Sequence, residues 1–156
     1  MIQRKQTLFL LLAVIVCALG LFLPVGSIQP EGMGTDSLVY NLGVFSGDGG
    51  ISISATCVPL FILLSVTVVL SLVTIFLFKN RKQQMSLCSV AMLFDALWYV
   101  DYALMLFGVV PVPEVQGTMH PQFAACLPLV GLILIAMARK GVSDDEKLVR
   151  AADRIR

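Results

Sequence analysis

Apolar residues dominate four stretches of the chain, from about Thr7 to Val25, Thr56 to Phe78, Ser86 to Val110 and Gln122 to Ala138. A helix needs about 20 apolar residues to cross the hydrocarbon core of a bilayer, with roughly 17 as the minimum. The pattern therefore predicts an all-α membrane protein with four transmembrane helices. They form a single integral domain over residues 1–156, with a long loop at 26–55 and a tail at 139–156. The first stretch has a basic start and an apolar centre, as a signal peptide does. It ends in "FLPVGS" without an A-x-A-like cleavage site and is read as a permanent anchor.

Within these stretches small and hydroxyl residues recur at helical spacing. Ala13, Cys17 and Gly20 share one face of the first stretch, and Thr67, Ser71 and Thr74 one face of the second. Ala124, Pro128, Gly131, Ile135 and Ala138 share a face of the fourth. In lipid, close packing and interhelical hydrogen bonds replace the hydrophobic drive, so such stripes mark helix contacts. A four-helix bundle follows. Only a short loop separates the second and third spans, which makes them antiparallel neighbours.

The long loop carries a different pattern. "SLVYNLGVF" has strand-like content, "SGDGG" supplies turn residues, and "ISISA" alternates strictly. A short β-hairpin is expected in this first outer loop. "VPVPEVQGTMHP" is punctuated by proline and expected to be extended before the fourth span begins near Pro121.

Composition and charge fix the class and the orientation. The chain is 58% hydrophobic and 13% charged, with a mean hydropathy of +0.90, well outside the range of soluble domains. With four crossings both termini lie on one side. All 11 Lys and Arg fall there: Arg4 and Lys5, then Lys79, Arg81 and Lys82, then six in the tail. The other two loops hold only the acids Glu31, Asp36, Asp48 and Glu114. Positive loops stay in the cytoplasm, so both termini and the "KNRK" loop are expected there.

Candidate chemistry is sparse. His120 is the only histidine, so no His-built metal site is expected, and no cofactor or nucleic-acid partner is called for. The four cysteines include no C-x-x-C pair; Cys57 and Cys126 both lie toward the outer face, where a disulfide is conceivable. "FDALWYVDYAL" holds the one unusual feature, two acids inside the third span. Asp95 is expected near the midplane and Asp101 roughly 6 Å toward the outside of it. An acid at the bilayer centre costs about 2.5–3.5 kcal/mol. Each should face the bundle interior, carry a proton, or both. Six residues of separation put them about 120° apart around the helix, so they do not form a close pair. Asp95 shares its face with Trp98, Tyr99 and Tyr102, and hydroxyls of Thr67 and Ser71 are its expected partners. For Asp101 the expected partner is a tyrosine hydroxyl or water. The functional alternative is that one or both acids carry protons or a cation.

The tail "KGVSDDEKLVRAADRIR" reads as a separate cytoplasmic helix. Ser143 and Glu146 fit a capping box at its start, and Leu148, Ala152 and Ile155 form a weak apolar face. Lys79, Arg81, Lys82, Leu148, Arg150 and Ile155 are the candidate contacts to anionic lipid or a partner.

Three segments, "MIQRKQTLFLLLA", "FLFKNRKQQMSLC" and "DDEKLVRAADRIR", resemble recurring segments of domain of unknown function family 4293, small four-span proteins of Bacteroidota. The resemblance implies a multi-pass protein of the bacterial cytoplasmic (inner) membrane and brings no reaction or binding residues with it. Three function classes are expected, in this order. The first is a non-enzymatic membrane subunit or scaffold contacting lipids and a protein partner or a second copy of itself. A small proton- or ion-coupled transporter using Asp95 and Asp101 comes second. A membrane enzyme is third, because no catalytic constellation converges.

Overall fold

The computed structural model describes residues 3–30, 35–45, 50–77, 80–112 and 117–153. Among them four helices are long and apolar enough to cross a membrane: α1 (Gln3–Phe22), α2 (Val58–Phe76), α3 (Arg81–Leu106) and α4 (Leu127–Asp153). At 1.5 Å per residue α1 and α2 measure about 30 Å, the thickness of the hydrocarbon core, whereas α3 and α4 measure about 40 Å. Each helix packs on two others, α1 on α2 and α4, and α3 on α2 and α4. The predicted stripes are the buried ones. Ala13, Cys17 and Gly20 of α1, Thr67, Ser71 and Thr74 of α2, and Pro128, Gly131, Ile135 and Ala138 of α4 all face inward.

Two apolar clusters stack along the helices. One holds Cys17, Leu60, Leu64, Trp98, Tyr102 and Met105 and continues into the sheet described below. The other, toward the opposite end, holds Leu10, Ala13, Cys88, Ala91, Ile135 and Ala138.

The expected hairpin is part of a larger sheet. Five antiparallel strands, β1 (Gly26–Pro30), β2 (Ser37–Val39), β3 (Gly43–Phe45), β4 (Ile51–Ile53) and β5 (Gly117–Pro121), are ordered β4-β3-β2-β1-β5. "SLVYNLGVF" is not one strand. It breaks at Asn41, and β2 folds back on β3 with Val39 opposite Val44. Of the second outer loop, residues 113–116 lie outside the described residues; Gly117–Pro121 is extended as expected, but it is also paired, all five residues of β5 running along β1. One face of the sheet buries Ile28, Val39 and Val44 against the helix cluster, and Val25, just before β1, is buried with them. The end of α3 leads into this region through Gly108, whose φ of 70° favours glycine. Val109 N–H donates to Leu104 O and Gly108 N–H to Met105 O, the paired bonds that close a helix of this kind.

The tail departs from expectation. α4 runs without a break through Gly141 and Ser143 to Asp153, so Ser143 does not cap a separate helix. The reason is packing: Val142 and Asp145 are buried, and a Cβ at Gly141 would stand 3.0 Å from Gln6 Cγ of α1. The far turns of α4 therefore have a neighbour to continue along. No disulfide joins Cys57 to Cys126, since the first is buried and the second exposed.

Pairing of β5 with β1 is close at Gly117, where a Cβ would collide with Gln29 O and lie 2.8 Å from Gln29 C. Gly117→Ala should destabilise the protein by about 1–3 kcal/mol, while Gly50→Ala, which meets nothing within 4 Å, should leave stability unchanged. Thermal unfolding in detergent checks both; equal midpoints would mean that the β1–β5 pairing does not contribute to the folded state.

Candidate functional site

Asp95 sits midway along α3, between the two apolar clusters. Ala91, one turn toward the basic end, belongs to one cluster and Trp98, toward the sheet, to the other. Asp95 is fully buried. A Cβ at Gly131 of α4 would stand 3.9 Å from Asp95 Oδ2 and collide with Cys17 Sγ of α1. The carboxyl therefore lies at the seam of α1, α3 and α4, where a glycine makes the room.

The expected hydroxyl partners do not reach it. Both carboxyl oxygens of Asp95 lack a hydrogen-bond partner, as does Ser71 Oγ. Thr67 Oγ1 donates instead to Leu63 O at 3.0 Å, and Thr74 Oγ1 to Leu70 O at 2.7 Å. These are bonds to the preceding turn of the same helix, which a threonine makes without any movement of its neighbours. A buried polar group left unpaired costs about 1–3 kcal/mol, and more when it is charged. Asp101 is half-buried, and its Oδ2 likewise has no partner. Its expected tyrosine cap is absent because the tyrosines are bound elsewhere.

The three aromatics form one unit directed at the sheet. Trp98 and Tyr102 stack with centroids 5.1 Å apart, and Tyr99 meets Trp98 edge-on at 4.9 Å. Each spends its polar tip away from the acids. Tyr102 Oη donates to Val25 O at 2.8 Å, and Tyr99 Oη to Ala125 O at 2.8 Å. Trp98 Nε1 donates to Asn41 Oδ1 at 2.9 Å, and Asn41 Nδ2 in turn donates to Gly20 O at 2.7 Å. Asn41 is fully buried, so the break in "SLVYNLGVF" lowers an amide between the ends of α1 and α3.

A second polar group lies at the opposite end, which carries Lys5, Lys82, Arg139 and Lys140. Gln6 Nε2 donates to Asp145 Oδ2 at 2.7 Å, and Arg81 Nη1 to the Asp145 carbonyl at 3.2 Å. Gln84 Nε2 donates to Thr74 O at 3.4 Å. These bonds join α1 to α4, α3 to α4 and α3 to α2. Sequence reasoning missed Asn41, Gln6, Gln84 and Asp145. The available signal was one polar residue in an otherwise apolar or loop setting, which does not reveal a partner distant in the chain.

The proposed contact residues are scattered. Arg81 is turned to the α4 backbone, Lys82 is exposed, and Leu148 is 61% exposed. Lys79, Ile155 and the side chain of Arg150 lie outside the described residues. Among the described residues no group of three or more His, Cys, Asp or Glu side chains is placed to hold a metal ion.

The family described as Domain of unknown function (DUF4293) matches residues 2–155, nearly the whole chain. No curated protein matches it.

Asn41→Ala removes both bonds of the amide and leaves Trp98 Nε1 and Gly20 O buried without partners. The expected loss is about 1–3 kcal/mol per orphaned group. Trp98 is the only tryptophan, so its fluorescence reads the site directly. The variant should unfold earlier and change emission; an unaltered spectrum and midpoint would show that the amide bridge is not formed.

Proposed function

This chain belongs to the DUF4293 family, and on that premise we propose that it is a non-enzymatic multi-pass subunit or scaffold of the bacterial cytoplasmic membrane. The proposal takes the four helices as a membrane-spanning bundle with both termini cytoplasmic and the sheet outside. Retention of basic segments in the cytoplasm supports that orientation.

One observation carries the subunit reading. Strand β4 is an edge of the sheet, and its Ile53 is 69% exposed, with Phe45 of the paired strand β3 38% exposed. Exposed apolar edge strands are normally blunted by shortness, charge, proline or a covering element; β4, at three residues, is short, but its described side chains carry no charge. An edge left apolar is a template for a strand of another chain. Cysteines placed at Ile53 and at the exposed Asp36, in a chain cleared of native cysteines, test both parts together. In native membranes Asp36→Cys should react with an impermeant maleimide from outside, while Ile53→Cys is shielded until the protein is purified alone. Equal labelling of both sites would remove the partner, and labelling of Asp36→Cys only after the membrane is breached would reverse the orientation.

A second reading, a small proton- or ion-coupled transporter, is favoured by the unpartnered carboxyl of Asp95. Buried acids within a span mark proton and ion pathways by default. Asp95→Asn keeps the shape and removes the exchangeable proton. For a subunit, the variant should assemble and support growth like the parent. A proton flux in liposomes that is lost in Asp95→Asn, with thermal stability kept, would move the assignment to transport.

A further inference from the structure

Between α3 and α4, at the end where the helices overshoot the apolar stretch, a cleft of about 330 Å³ opens to the surface. The volume is within the roughly 300–1,000 Å³ of small-ligand sites. Its floor is apolar: Met85 and Met92 come from α3 and Ala136 from α4. Its rim is basic. Arg139, Lys140 and Lys147 line it from α4, with the Ser143 hydroxyl between them. The one acid in the cleft, Asp144, stands 3.6 Å from Lys147 Nζ, and both side chains are exposed. Arg139 and Lys140 are exposed and directly follow the last apolar residue of the fourth stretch, Ala138.

We propose that this cleft binds the phosphate headgroup of an anionic phospholipid of the cytoplasmic leaflet, with the methionines receiving the start of an acyl chain. Three features converge on a lipid. The positions from Ala136 to Lys147 pass from the apolar part of α4 into its charged part, so the cleft carries apolar surface on one side and cations on the other. Long basic side chains can lay their methylenes on apolar surface while their charges reach a headgroup. Methionine adapts to irregular chains because it is unbranched and flexible. Three cations against one acid leave the cleft positive, and basic pockets between helices on the cytoplasmic side are where anionic headgroups are held. Arg81, by contrast, is committed to the Asp145 carbonyl. The proposal rests on the membrane-spanning orientation given above and is separate from the question of a protein partner.

The test uses the full chain in detergent, titrated with phosphatidylglycerol or phosphatidylcholine and read by native mass spectrometry. The parent should retain phosphatidylglycerol preferentially. Arg139→Gln, Lys140→Gln and Lys147→Gln combined should weaken it, by about fivefold for each charge removed, with Trp98 fluorescence unchanged. Lys5→Gln, which removes charge at the same end but outside the cleft, should have no comparable effect. No preference between the lipids would overturn the proposal, and so would equal loss per charge in the two variants, which would reduce it to general surface charge. Displacement of the lipid by millimolar inorganic phosphate would overturn it in favour of a soluble anion. Failure of the parent to insert into vesicles would instead overturn the spanning orientation itself.

Discussion

The buried amide of Asn41 ties the sheet to the ends of α1 and α3. Asn41 comes from the turn between β2 and β3, yet it is bonded to Gly20 O at the end of α1 and to Trp98 of α3. Gly20 lies in the last turn of α1, whose carbonyls have no acceptor role inside the helix. In an apolar setting such a carbonyl must find a donor. The Asn41 amide supplies one and accepts the indole N–H with its other end. Once Asn41 is fixed, β2 and β3 are fixed over Trp98, and Val39 and Val44 close on the helix cluster. Tyr102 and Tyr99 then extend the same logic to Val25 and Ala125, so that the sheet, α1, α3 and the start of α4 share one set of polar ties.

The opposite end is tied by a different chemistry. Gln6, Gln84, Arg81 and Asp145 join the helices in pairs, and the side chains of Gln6, Gln84 and Asp145 are buried. Between these two tied ends the helices meet mainly through small residues, Ala13, Ala91 and Ala138, in the cluster toward the basic end. Small side chains let helices approach closely and gain dispersion contacts. Gly131 serves this directly: a Cβ there would collide with Cys17 Sγ of α1. The molecule is thus pinned by hydrogen bonds at its ends and packed by surface shape along its length.

What could be read from the sequence follows from this division. Helix lengths and inward stripes depend on local periodicity, and Thr67, Ser71 and Thr74 were readable as a buried face for that reason. Strand pairing is not local. Nothing near "GTMHP" indicates that it will lie along Gly26–Pro30, about ninety residues away in the chain, and "SLVYNLGVF" reads as one strand unless the destination of Asn41 is known. The tail shows the same limit. Ser143 and Glu146 have the spacing of a helix start, but Val142 and Asp145 have a packing partner in α1 that outweighs a local capping preference. At the candidate site the sequence identified Asp95 and its aromatic neighbours. It misassigned the hydrogen bonds, because a threonine hydroxyl reaches its own helix backbone more easily than a side chain across a gap.

The unpaired carboxyl of Asp95 gains its meaning from what lies on either side of it. Toward the sheet, the layer of Leu64, Trp98 and Tyr102 is closed by hydrogen bonds to Asn41 and Val25. Toward the basic end, Leu10, Ala91 and Ile135 form an apolar layer, with the buried Ser71 and Thr74 of α2 beside it. A relay of protons through Asp95 would need water to reach it across one of these layers. The sheet-side layer resists, because opening it orphans the Trp98 indole and the Asn41 amide together. The other layer is held by close packing and by the bonds of Gln6, Gln84 and Arg81 beyond it. Passage of a proton through Asp95 would need one of these layers to open, whereas the proposed role at the sheet edge needs neither to move.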